Sequence, residues 1–295
     1  ASVFEDVAHL KPAKGFMPVE LNTPVWLPDV QSRQWLNVPA GETITFSEWE
    51  HWRLPKDAMW VQHFDNNRGQ PHETHVYWSN GDGTFRAAAY RWSSDSSDPE
   101  LISSGGITTV TGTQNAAWFS PGPEQHLNPK LALIGFVPQI NTRQLNRGDQ
   151  LLELSRKGWL DTQVSARDLK ALPQMASLDD PQASVDWKAR SYLDANCAVC
   201  HQPGGPSRGT FDVRFSTPME ERLLLSAEPV AGNLDVEGAT LLEPGSPERS
   251  ILYLRMNRTD AFRMPPVAVH GELSPALPVI ERWIREMKPP ESASR

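Results

Sequence analysis

Cysteine is nearly missing from this chain: its 295 residues contain two. A disulfide framework and a four-cysteine zinc site are therefore excluded. Long apolar runs are missing as well. No stretch approaches the roughly 20 apolar residues of a membrane-crossing helix, so no transmembrane segment is expected. Positive charge is in deficit, because 28 Lys and Arg face 36 Asp and Glu and leave a net charge of −8. That balance argues against nucleic acid, whose phosphates demand a basic surface, and favours partners that present basic docking patches. No phosphate-binding glycine loop, Ser/His/Asp order or carboxylate pair with a defensible spacing occurs. The first residues, Ala1-Ser2-Val3-Phe4-Glu5, show no basic start and no apolar segment. They read as a chain whose export signal has already been removed.

The two cysteines that are present stand together in Cys197-Ala198-Val199-Cys200-His201. Two thiols separated by two residues in a helical turn reach the two vinyl groups of one haem, and the next imidazole falls under the iron. A C-x-x-C pair also serves as a redox disulfide or as half of a zinc site. The trailing His disfavours the first, and the lack of another cysteine pair disfavours the second. One covalently bound haem c is the expectation, with Cys197 and Cys200 as thioether donors and His201 as the proximal ligand.

A second axial ligand is offered by Arg263-Met264-Pro265-Pro266. The two prolines restrict the loop, so little backbone entropy is lost when the Met264 sulfur is presented. Other methionines read as core filling: Met256 and Met287 on helical apolar stripes, and Met219. His270 is the reserve ligand.

Around these residues the start signals of three helices recur. Ser184 is an N-cap ahead of Val185, Ala189, Tyr192, Leu193 and Asn196 on one face. Ser246-Pro247 precedes Ile251, Leu252, Leu254 and Met256. Ser274-Pro275 precedes Leu277, Ile280, Trp283, Ile284 and Met287. A helix with CxxCH, a middle helix, a Met loop and a closing helix resemble class I cytochrome c.

Asn141-Thr142-Arg143-Gln144-Leu145-Asn146, Gln150-Leu151-Leu152-Glu153-Leu154, Tyr192 to Gly205, Pro244 to Leu252 and Arg263 to Pro266 carry the resemblance further. Together they are similar to a bacterial family of exported c-type cytochromes with a β-rich N-terminal region. The match is strong from about Phe136 to Met287 and faint before. The resemblance implies Cys197 and Cys200 as haem anchors, with His201 and Met264 as axial ligands. Many relatives are dihaem and place another CxxCH just before the Asn-Thr-Arg-Gln-Leu-Asn segment. Here Trp118 to Leu127 contains no cysteine, so a second covalent haem is excluded; His126 reads as a solvated loop residue.

Residues before about 120 are rich in strand signals. Trp35 to Phe46 reads as strand, turn, strand. Thr74 to Ser79 and Thr84 to Trp92 flank Asn80-Gly81-Asp82-Gly83, the clearest hairpin signal of the chain. Ile107 to Thr113 is a further β-branched run, Gln144 to Trp159 looks helical, and Leu172 to Ala183 reads as a linker. Eight of the 11 tryptophans, at 26, 35, 49, 52, 60, 78, 92 and 118, lie in this region. They suit a strand-rich core, with a sugar-stacking platform as the alternative. His63, His72 and His75 form the one other local group that suggests a metal. His72 and His75 are three apart in a strand start and need not share a face. His9 and His51 have no neighbours that suggest chemistry.

The expected fold is thus an α+β chain of two domains. A β-rich, Trp-rich, sandwich-like domain at 1–140 is followed by helix and linker at 141–183 and an all-α, class I-like cytochrome c domain at 184–295. The expected function is single-electron transfer between redox protein partners in the bacterial periplasm, with a removed signal or a lipid anchor. The β domain would dock a partner or bind a polysaccharide or small molecule. A peroxidase-like haem enzyme is the alternative, disfavoured because a Met264 ligand closes the distal position and the electron-storing second haem is missing. A polysaccharide-targeted electron donor to an oxidase is another.

Overall fold

A computed structural model describes residues 3–27, 30–93, 98–110, 117–123, 140–205, 207–209, 211–222, 224–265 and 273–288. They fall into two compact units, the first running to Met175 and the second beginning at Ala176.

The first unit is organised by strands β1 (Phe4–Asp6), β2 (Lys11–Pro12), β3 (Phe16–Val19), β4 (Val30–Asn37) and β5 (Met59–Asn66). After them come β6 (Pro71–Ser79), β7 (Phe85–Arg91), β8 (Glu100–Leu101), β9 (Gly106–Thr109) and β10 (Ala117–Ser120). Strands β3 to β8 form one six-stranded antiparallel sheet in which sequence neighbours are spatial neighbours. The β6–β7 turn shows why the hairpin forms there. Gly81 and Gly83 take φ of +87° and +92°, which a side chain disfavours. Asn80 N donates to Thr84 O at 3.0 Å, and Asp82 Oδ1 accepts from Thr84 N at 2.9 Å.

The period of two sorts the sheet into two buried faces. On one, Trp35, Met59, Val61, Val76 and Trp92 pack with Phe4 and Leu10. The Phe4 ring meets the Trp35 ring edge-on at 5.5 Å. On the other, Trp60, Phe64 and Tyr77 are buried. There the Trp118 ring, from β10, lies 5.1 Å from the Phe64 ring.

The described residues do not form a sandwich-like domain. Beside the six-stranded sheet they form two ribbons, β1–β2 and β9–β10, and no second large sheet. Beyond the turn at Pro39, Ile44 and Thr45 make isolated bridges, to Leu160 and Arg53, where a strand was expected. The helix expected over 144–159 breaks into α1 (Thr142–Leu145) and α2 (Gln150–Arg156). Gly148 turns there with φ +52°, and the buried Asn146 amide donates to the carbonyls of Leu169 and Leu172, both at 3.1 Å.

In the second unit the helices are α3 (Val185–Asn196), α4 (Ile251–Met256) and α5 (Leu277–Glu286), with short 3-10 turns at Met219–Glu221 and Pro247–Arg249. The all-α, class I-like domain, and with it the expected α+β class, is therefore overturned. Between α3 and α4 the described residues form turns and isolated bridges, Leu225 with Leu242 and Thr240 with Ser250. The physical reason is composition: Pro203, Gly204, Gly205, Pro218, Pro229, Gly232, Gly238, Pro244 and Gly245 interrupt any helical hydrogen-bond ladder. Ser184 does cap α3, accepting from Trp187 N at 3.1 Å. Ser246 makes no such cap; its Oγ accepts from the Arg249 side chain instead. No described helix is long and apolar enough to cross a membrane.

Candidate functional site

α3 delivers the two cysteines. Its last turn hands over to the motif through Cys197 N and Ala198 N, which both donate to Leu193 O at 2.9 and 3.1 Å. Cys200 N and His201 N then both donate to Cys197 O, at 3.0 and 2.9 Å. Cys197, Cys200 and His201 are thereby gathered in one backbone turn, and the two thiols are free and half-buried. Gly205 closes the turn by donating to Gln202 O at 2.9 Å. A methyl group there would run into the Cys200 carbonyl oxygen, so this position requires the glycine.

The helix also grips the segment that follows. Asp194 Oδ1 accepts from Phe215 N at 3.0 Å, and Arg190 lies 4.7 Å from the Phe215 ring while donating to Phe215 O at 2.7 Å. Val213 N donates to His201 O at 3.0 Å. The Phe211 ring stacks on the His201 imidazole, 4.2 Å between centroids and 15° from parallel. α5 is tied to α3 by the Tyr192 hydroxyl with Ser274 Oγ at 2.7 Å and by Trp283 Nε1 donating to Asp186 at 2.9 Å.

Burial sets the protonation states. It raises the Cys197 thiol to about 12, helped by neighbouring Cys200, and raises Cys200 as well. It lowers His201 to about 4. Reactive dithiols have depressed thiol pKa values, so the pair is poorly suited to disulfide exchange. His201 is a neutral imidazole, the form that binds a metal, and its buried Nδ1 has no hydrogen-bond partner. Free paired thiols, a neutral imidazole and an orphaned ring nitrogen fit a haem c attachment turn.

Met264 stands half-buried on a separate loop of the same unit. Its N–H donates to Arg255 O at 2.9 Å, beside the C-terminal end of α4. The buried Arg255 guanidinium donates to Phe262 O at 3.2 Å and to Ala231 O at 2.8 Å, which ties two loops together. Met256 is buried as core filling, while Met287 and Met219 are half-buried. His270, Pro266 and His126 lie outside the described residues.

The three histidines of the first unit do not converge. His63 pairs with Thr74 across the sheet, and His75 pairs with Gln62, so the two side chains occupy opposite faces. His63 is fully buried, with Nδ1 2.7 Å from Thr74 Oγ1 and Nε2 3.1 Å from Asp65, which Arg33 holds in turn. His75 Nε2 lies 2.9 Å from Glu73, whose other oxygen accepts from Ser120 Oγ. The His72 ring meets the Trp118 ring edge-on at 5.0 Å. Among the described residues no group of three or more His, Cys, Asp or Glu is placed to hold a metal ion. Tryptophans 35, 52, 60, 92 and 118 are buried and Trp26 and Trp78 half-buried. Trp49, exposed by 47 %, is the one left for stacking on a sugar.

Gly205, Phe211 and Asp194 were not legible as parts of the site. The Gly204-Gly205 pair straight after the motif was the one available signal. No protein-family model, no curated protein and no solved structure matches the chain.

Proposed function

We propose that the second unit carries one covalently bound haem c and that the protein passes single electrons between redox partners in the periplasm. The reading places the chain in the exported c-type cytochrome family whose motifs it resembles. The observation that carries it is the turn at Cys197 to His201: two free thiols and a neutral imidazole, with no hydrogen-bond partner on Nδ1. Cys197 and Cys200 would hold the group by thioether bonds, and His201 and Met264 would ligate its iron. When bound, haem supplies a one-electron couple, and a thioether ligand favours the ferrous state. The chain's own part is positional. α3 and Gly205 set the thiols, Phe211 keeps the imidazole plane fixed, and the Arg255 carbonyl holds the Met264 backbone. The net charge of −8 favours redox partners with basic docking patches, and the six-stranded unit serves as the docking scaffold.

The test is the intact mass of protein produced with a cytochrome c maturation system. One haem added to the polypeptide is expected, and either Cys197→Ala or Cys200→Ala lowers the holoprotein yield. A polypeptide of unmodified mass, or one carrying two haems, overturns the proposal.

A further inference from the structure

We propose that Arg263 receives a haem propionate, its guanidinium pairing with that carboxylate beside the Met264 ligand; this rests on the haem reading above. Arg263 is only 8 % exposed, yet both Nε and Nη1 are buried with no hydrogen-bond partner. No other described residue has two such atoms. The unit pairs its neighbouring arginines. Arg214 forks onto Asp212, and Arg222 donates to the carbonyls of Thr217 and Arg214 at 2.9 and 2.6 Å. Arg255 donates to two carbonyls as described. The acid closest in sequence, Asp260, is taken by Arg258 at 2.9 and 3.0 Å.

The backbone fixes where this charge sits. Arg263 N donates to Asp260 O at 3.1 Å and Met264 N to Arg255 O at 2.9 Å, so the side chain cannot drift from the ligand loop. Among the described residues no carboxylate pairs with the guanidinium to offset its loss of water. A buried cation with no counter-charge is strongly unfavourable. The planar guanidinium has the fork geometry that matches a carboxylate through two parallel N–H bonds. A haem held by Cys197, Cys200, His201 and Met264 brings two carboxylates into this unit. One of them completes Arg263.

The experiment compares parent, Arg263→Gln and Arg263→Lys holoproteins by intact mass, redox titration and the resonance Raman propionate-bending band. Removing the cation leaves the propionate charge uncompensated and favours ferric iron. Arg263→Gln is expected to shift the one-electron equilibrium about tenfold toward ferric, about 59 mV downward, and to move the propionate band. Arg263→Lys keeps the charge and loses the fork, so its potential stays near the parent value while the band still moves. Haem-loaded Arg263→Gln with parental potential and band overturns this inference alone. If Arg263→Gln does not accumulate as holoprotein, Arg263→Lys decides, and an unmoved band overturns the inference. A parent without covalent haem removes the haem reading and this inference together.

Discussion

Replacing Gly205 by alanine tests whether the attachment turn is as rigid as its hydrogen bonds imply. The added methyl would sit 3.0 Å from both Cys200 C and Gln202 O and far inside contact with the Cys200 carbonyl oxygen. All three obstacles are backbone atoms, so no side chain can rotate away. The turn itself must open, and it carries Cys200 and His201 with it. Over-packing of this kind costs about 2–3 kcal/mol. In a unit of this size that lowers the melting temperature by about 10 °C or more. Gly204→Ala is the control: φ is +75° there but nothing lies within 4 Å, so only the left-handed backbone is penalised, by about 1 kcal/mol. The assays are thermal unfolding and the fraction of chains carrying haem by mass. Gly205→Ala should fall below Gly204→Ala on both. Equal melting temperatures and equal haem loading for the two variants would refute the tight turn.

Three further outcomes are expected. Met264→Ala removes the soft ligand while leaving the Met264 N–H to Arg255 O bond in place. Its potential should drop by at least about 120 mV, a hundredfold change in the one-electron equilibrium, and carbon monoxide should bind; an unchanged spectrum and potential would show that Met264 does not ligate. Ser184→Ala takes away the cap on Trp187 N and should destabilise the second unit by about 1 kcal/mol in a denaturant titration; no change would mean that α3 starts without it. Acid should loosen the first unit in two stages. Burial pushes His72 down from 6.5 to about 4, so the unfolded chain binds the extra proton between those values and stability falls there as pH drops, by up to about 1.4 kcal/mol per pH unit. Burial works to raise Glu73, but the His75 bond and Ser120 outweigh it and hold its pKa below 4.5, so its contribution is present above 4.5 and is lost at still lower pH. His72→Gln should flatten the upper stage, and an unaltered stability profile between pH 6.5 and 4 would contradict the burial argument.

What could be read from the sequence was local. The hairpin at Asn80 to Gly83 was legible because positive φ at two glycines and an Asp–Thr bond are set within five residues. The Ser184 cap and the spacing of Cys197, Cys200 and His201 are local in the same sense, since one backbone turn satisfies them. Helices were over-read where start signals met a dense set of breakers. Ser246-Pro247 opened a 3-10 turn before α4, and Gly148 split the run after Asn141. Periodicity reports an apolar face, whereas continuation of a helix depends on every intervening residue.

By itself the sequence determined the chemistry on offer: one thiol pair, one adjacent imidazole, one methionine between arginine and proline, and a chain short of positive charge. The tertiary structure alone decided which groups are buried and with whom. Strand register divided His63 from His75 and gave each a carboxylate, at Asp65 and Glu73. Packing left Arg263 desolvated without a counter-charge, although Arg258, Arg214 and Arg222 nearby in the chain all found partners. Burial and pairing arise from contacts between distant segments. A residue's own neighbours in sequence carry no record of them.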